Sequence, residues 1–275
     1  MARERSPTRE FVVATARAAG GAIVFSIPLM MTMEVWYFGF TAPRLRLVVL
    51  YVALIPLLAG ISYYAGIKET FRWKEDAFDA LTAYAVGFAV SGAVLGLFAV
   101  LESEMRVSAI VGQISLQAVP ASIGAVLARR LLGGESDAEK RKDRETGYFG
   151  ELFHMLVGAL FLAFGVALTE EIVLIGHMMS DWHAVALAVA SLVLMHAFVY
   201  AVEFSGTAQI PEGTPQWSVF LRFTVVGYAI VLLTSLFVLW VIARTDGMSP
   251  EQILFATVVL GFPAAIGAAG ARLIL

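Results

Sequence analysis

The sequence predicts an all-α polytopic membrane protein: eight transmembrane helices in two parallel four-helix repeats, with both termini in the cytoplasm (N-in/C-in). Three observations carry this. Hydrophobic residues make up 59% of the chain and charged ones 15%, with a mean hydropathy of +0.81, a balance outside the range of soluble domains. The apolar residues gather into eight runs, each near the roughly 20 residues needed to cross a hydrocarbon core. Of the 19 Lys and Arg residues, all but Arg44, Arg46, Arg106 and Arg244 fall on the side of these spans where the N-terminus lies, and the positive-inside rule makes that side cytoplasmic.

Taken in order, residues 1–17 form a short cytoplasmic arm, basic at Arg3, Arg5 and Arg9, in which Ser6-Pro7 offers an N-cap and a proline at the first helical position. The apolar run behind it is too long for the core of a signal peptide and lacks a clear cleavage site, so it is expected to stay as the first span. The spans cover, to within a few residues, 18–40, 47–66, 77–101, 108–132, 153–177, 182–204, 219–243 and 250–275. The seventh is preceded by Thr214-Pro215. The eighth opens on Ser249-Pro250-Glu251-Gln252, a capping box with proline at its first helical position. Residues 133–148 hold the run Glu139-Lys140-Arg141-Lys142-Asp143-Arg144. Its mixed signs make it a solvated cytoplasmic linker and a poor lipid or nucleic-acid patch. Trp36, Trp73, Trp182, Trp217 and Trp240 fall near span ends, as an interfacial belt would.

The linker stands at the middle of the chain, which invites a search for duplication. Placing Gly21-Ala22 over Gly158-Ala159 lays Thr32 on Thr169, Glu34 on Glu171 and Gly39 on Gly176 without a gap. The ends of the halves match as well, pairing Pro120 with Pro263, Gly124 with Gly267 and Arg129 with Arg272. The repeats are then 18–132 and 149–275. Four spans each is an even number, so both insert in the same orientation, and matching residues are related by an axis along the membrane normal. Glu34 and Glu171 would be brought toward a shared central site by that axis.

An acidic side chain at the centre of a membrane helix costs about 2.5–3.5 kcal/mol on translocon scales, so its presence asks for a function or a partner. Glu34 lies in Met31-Thr32-Met33-Glu34-Val35, and Glu170 and Glu171 in Leu168-Thr169-Glu170-Glu171-Ile172. Both acids repeated between the halves come some two-thirds along their spans and are expected to be buried. Pro28 and Gly165 each stand six residues ahead, where a kink or loosened turn would free backbone carbonyls, as at the ion sites of discontinuous transporter helices. Pro120 and Pro263 mark two further kinks. Glu170 and His177 are seven residues apart and so share a helix face. His196 lies inside the sixth span, while His154, His177 and His183 lie toward span ends, where exposure is expected. The fourth span carries Gln113, Ser115 and Gln117 where the eighth has Ala256, Val258 and Leu260, so the fourth is a candidate to line a wet cavity and the small-rich eighth to pack tightly.

With no cysteine, the chain has no disulfide framework and no thiolate site. Among Glu170, Glu171, His177 and His196 no pair has the i, i+4 spacing that presets a metal site, so no metal, cofactor or catalytic residue is expected. Glu34, Glu171, Glu170, His177, His196, Thr32 and Thr169 are the expected ion-binding or pathway residues of a cation or proton channel or transporter. The competing reading makes the acids structural glue in a membrane scaffold or sensor. The expected partners are the lipid bilayer, an inorganic cation or proton, and further copies of the chain in a homo-oligomer, with no nucleic acid.

Gly20-Gly21-Ala22-Ile23, followed by Pro28-Leu29-Met30-Met31-Thr32-Met33-Glu34-Val35-Trp36, resembles a family of uncharacterised bacterial multi-pass integral membrane proteins. The resemblance covers most of the chain and implies a bacterial inner (plasma) membrane protein, without an activity or site residues to transfer. Paired glutamates with histidines on neighbouring helices are also similar to the intramembrane CAAX-type proteases, but Ile175 stands where that pattern sets an arginine and the histidine motifs do not match. An intramembrane hydrolase is therefore the third reading.

Overall fold

A computed structural model describes residues 7–65, 73–133, 147–201 and 216–274. The Ser6 cap, the charged run 139–144 and Thr214-Pro215 lie outside them. Among the described residues every regular element is helical, and eight helices are long and apolar enough to cross a membrane. The chain divides into two compact units, Met1–Thr41 with Leu50–Ser136, and Ala42–Val49 with Asp137–Leu275.

The first unit contains α1 (Pro7–Met30), α2 (Met33–Thr41), α3 (Arg44–Ala65, from Leu50 on), α4 (Trp73–Leu97) and α5 (Val107–Gly133). Helix α5 is its centre, with α1, α2 and α4 packed against it. Lipid tails are as apolar as leucine, so membrane helices associate through close packing, and small residues let backbones approach. Gly21 and Gly124 meet in this way: a Cβ on Gly124 would stand 2.5 Å from the Gly21 carbonyl oxygen and 2.6 Å from Phe25 Cβ. On α4, a Cβ at Gly87 would come within 2.7 Å of the Ser122 backbone nitrogen. Helix α3 buries Leu54, Leu58 and Ile61, and its Tyr51 ring lies 6.3 Å from that of Tyr84 on α4.

The second unit contains α6 (Tyr148–Ala167), α7 (Glu171–Met178), α8 (Asp181–Ala201), α9 (Gln216–Val219), a π-helical turn (Phe220–Val225), α10 (Val226–Val241) and α11 (Pro250–Ile274). Helix α11 is the centre here, and α6, α7, α8 and α10 pack on it. Its expected tight packing is present, with Ala264, Ala265, Ala268 and Ala269 buried. Gly158 meets Gly267, where a Cβ on the latter would lie 2.9 Å from the Gly158 carbonyl carbon and 3.0 Å from Leu162 Cβ. The predicted capping box forms: Ser249 N donates to Gln252 Oε1 at 2.9 Å and Gln252 N to Ser249 Oγ at 3.3 Å. Residues 42–49 belong to this unit. Arg46 Nη1 donates to Asp246 Oδ1 and to the Trp240 carbonyl, both at 2.9 Å, with its guanidinium 5.1 Å from the Trp240 ring centroid.

Two local events recur. Ala99 follows α4 with φ 54°, and Val100 N donates back to Leu95 O at 3.0 Å; Ala243 follows α10 with φ 62°, and Arg244 N donates back to Leu239 O at 2.9 Å. Each closes a helix on a left-handed residue, as a Schellman cap does, but with alanine in the place that favours glycine. The prolines and the helix breaks stand as follows. Helices α5 and α11 continue through Pro120 and Pro263, and α1 continues past Pro28. The true interruptions come two residues after Pro28 and two after Gly165.

Candidate functional site

Helix α1 stops at Met30 and the chain restarts as α2 at Met33; α6 stops at Ala167 and restarts as α7 at Glu171. Breaking a helix orphans its last carbonyls, and within a membrane each must find a donor. In the first unit Thr32 supplies two, its N–H at 3.1 Å and its hydroxyl at 2.7 Å from Leu29 O. Gln117 Nε2 adds a third bond to Leu29 O at 3.3 Å. Trp36 Nε1 donates to Met30 O at 2.8 Å, and Gln113 Nε2 to Trp36 O at 3.3 Å.

In the second unit Thr169 repeats the role of Thr32, its N–H at 3.1 Å and its hydroxyl at 2.9 Å from Val166 O. Arg244 then does what glutamines do in the first unit, donating from Nη2 to Leu168 O at 3.1 Å. The Glu171 carboxylate accepts from its own backbone N–H and lies within reach of the Thr169 hydroxyl and of the Arg244 charge.

The register against the central helices gives the depth of the breaks. From Gly21 to Leu29 the chain keeps pace with α5, moving from Gly124 to Gln117. From Leu29 to Gly39 it would rise about 15 Å as a continuous helix, yet the partner on α5 moves only from Gln117 to Gln113, about 6 Å. The break absorbs the difference by changing the chain's direction. Gln117 lies about 15 Å along the span that starts at Val107, near its middle, so the break lies within the membrane. In the second unit Gly158 meets Gly267 and Gly176 meets Ala256, which sets Thr169–Glu171 between those two levels of α11.

The packing of the chain itself leaves the acids at its surface. Glu34 is half-buried, and Glu170 and Glu171 are exposed on the surface of the chain. A continuous helix would have carried one face inward past the acids, whereas the restart after each break turns that face. Glu34 and Glu171 occupy the first turns of α2 and α7, where the positive end of the helix dipole favours an acid. Glu170 precedes α7 as its N-cap, with helical dihedrals (φ −79°, ψ −19°) and its carbonyl accepting from Leu174 N at 3.1 Å.

His177 is exposed and joins the start of α11. Its Nδ1 lies 2.7 Å from Val173 O and its Nε2 3.1 Å from Gln252 Nε2. A carbonyl only accepts, so Nδ1 carries the proton, and Nε2 is left to accept from the Gln252 amide. His196 meets the π-helical turn. It stands about 22 Å along α8 from Asp181, its Nδ1 3.0 Å from Thr224 Oγ1 and its ring 5.0 Å from that of Phe220 in the π-helical turn.

Other expectations change as well. His154 is buried rather than exposed, as is Glu151 one turn before it, because this face of α6 turns inward. Trp36 is a donor within the break. Arg244, Gln113 and Gln117 are the break residues that sequence reasoning did not place there. For Arg244 a signal was present, since it is among the four cations on the side opposite the rest.

Residues 14–275 match the family described as "Putative integral membrane protein (DUF2391)", and the chain belongs to that family. No curated protein and no solved structure matches it.

Proposed function

We propose that this family member is an ion-translocating protein of the inner (plasma) membrane, a cation or proton channel or transporter that handles its ion at the two helix breaks. Glu34 and Glu171 are the ion-binding carboxylates, with Thr32 and Thr169 beside them. Glu170 and His177 extend the second break toward the surface, and His196 with Thr224 forms a separate polar station on the same pathway. The observation that carries this reading is the exposure of Glu170 and Glu171 within the depth of α11. Hydrocarbon does not solvate a carboxylate, so water or ions reach that surface. Freed carbonyls and an acid at a broken helix are also how transporters build ion sites. The recurrence of the break, of its threonine and of its acid further supports descent of 18–132 and 149–275 from one four-span unit.

The test is flux into proteoliposomes containing the wild type, E34Q, E171Q or the double variant. Loss of cation or proton flux in the double variant is expected, and unaltered flux would end the proposal. A scaffold reading draws on the position of both acids in first helical turns. It predicts that the same variants lose thermal stability while even the wild type dissipates no gradient.

A further inference from the structure

We propose that Gln113 and Gln117 supply the oxygen ligands of a monovalent-cation site on α5, against the end of α1. Both side chains are 1% exposed. Each amide nitrogen faces a backbone carbonyl, Trp36 O or Leu29 O. Carbonyl oxygens only accept, so the amide orientation is forced, and both Oε1 atoms must point elsewhere. Among the described residues neither Oε1 has a hydrogen-bond partner.

Two buried acceptors without donors are costly in a membrane interior, and they are placed together. Spaced four residues apart, they share one face of α5, with Cβ atoms about 6 Å from each other. That face is fixed by contact: a Cβ on Gly39 would lie 2.6 Å from both Cα and Cγ of Gln113. Ser115, two positions from each along the helix, projects from the opposite side of α5 and is not part of it.

The donor set selects the ligand. Amide and backbone carbonyl oxygens are neutral and hold a single positive charge, whereas divalent cations are held through carboxylates. The negative end of the α1 dipole terminates at Met30, beside these amides, and favours a cation there. Glu34, on the next turn of chain, offsets the charge. The second unit has Ala256 and Leu260 at the matching positions, so the site belongs to the first half. It deepens the ion-handling proposal above and rests on that reading for its place in a transport cycle.

The test is the thermal midpoint of the purified full chain in detergent, in sodium, potassium or N-methyl-D-glucamine chloride at equal concentration. Sodium or potassium is expected to raise Tm saturably over the organic cation. The double variant Q113A/Q117L, which installs the second half's residues, is expected to lose that rise. A wild-type Tm that is the same in all three salts overturns the site and leaves water as the partner of the two oxygens. Retention of the rise in the double variant overturns it too. Should that variant not fold, Gln117→Asn withdraws the amide by one carbon, and an unchanged half-saturating concentration is then the overturning result. Saturable stabilisation without any flux would sink the transport proposal and leave the site standing.

Discussion

The sharpest structural prediction concerns Gly158→Ala. A Cβ at this position would meet Ala271 Cβ at 2.5 Å and the Gly267 carbonyl carbon at 2.7 Å, against roughly 3.5–4.0 Å for an unstrained carbon pair. Its nearest neighbours are the backbone and Cβ of a facing helix, which have no rotamer to escape into. Relief therefore requires α6 and α11 to move apart by about 1 Å along their crossing. Overpacking of this kind costs about 1–3 kcal/mol, or ~2–12 °C in Tm on the scaling for chains of 150–250 residues. Gly270→Ala is the internal control, since nothing lies within 4 Å of its would-be Cβ. Alanine's better helix propensity there is worth up to ~1 kcal/mol, so Tm should hold or rise. The assay is thermal unfolding of both purified variants in one detergent. A G158A protein with wild-type Tm, or a G270A protein as damaged as G158A, would refute the close-packed crossing and the depth register built on it.

Two further predictions concern the ends of helices. Arg244→Gln removes the bond to Leu168 O and the positive charge beside Glu171; a charged hydrogen bond contributes about 1.5–3 kcal/mol, with the lower end expected for a half-exposed side chain. Loss of Tm should follow, and none would show that the break does not depend on Arg244. Ala243→Gly and Ala99→Gly each relieve a left-handed alanine, with about 1 kcal/mol of strain available for release. Both are expected to raise Tm, and a fall in both would show that these helices do not end on left-handed residues.

Much of the fold follows from the sequence because a membrane span is a coarse signal: twenty apolar residues mark a helix whatever lies next to it. The capping box at Ser249 was equally readable, being local. The interruptions of α1 and α6 were not. Pro28 pointed to the right turn, but a proline alone does not say whether a helix bends or stops, and Gly165 carries no such signal at all. What stops the helix is Thr32 or Thr169 turning its hydroxyl back onto the carbonyl three residues before it, a choice that only neighbouring donors make worthwhile. Those neighbours come from far along the chain, Gln117 in one half and Arg244 in the other.

The two breaks meet the same backbone need with different side chains. In the first unit the orphaned carbonyls are met by neutral donors, Gln117 on Leu29 O and Trp36 on Met30 O. In the second, Leu260 and Val173 stand at the positions of those two residues, and a cation answers instead, from Arg244. A neutral donor leaves the charge of Glu34 to be balanced by something else, whereas a fixed guanidinium already offsets part of the charge of Glu171. Glu170, next to Glu171 in the chain, adds one further negative charge to the second break. Counting Glu170, Glu171 and Arg244 against Glu34, the second break keeps about the same net charge as the first. On this argument R244Q and E170M applied together should disturb ion handling less than R244Q alone. A double variant as impaired in flux as the single one would show that Glu170 acts independently of Arg244.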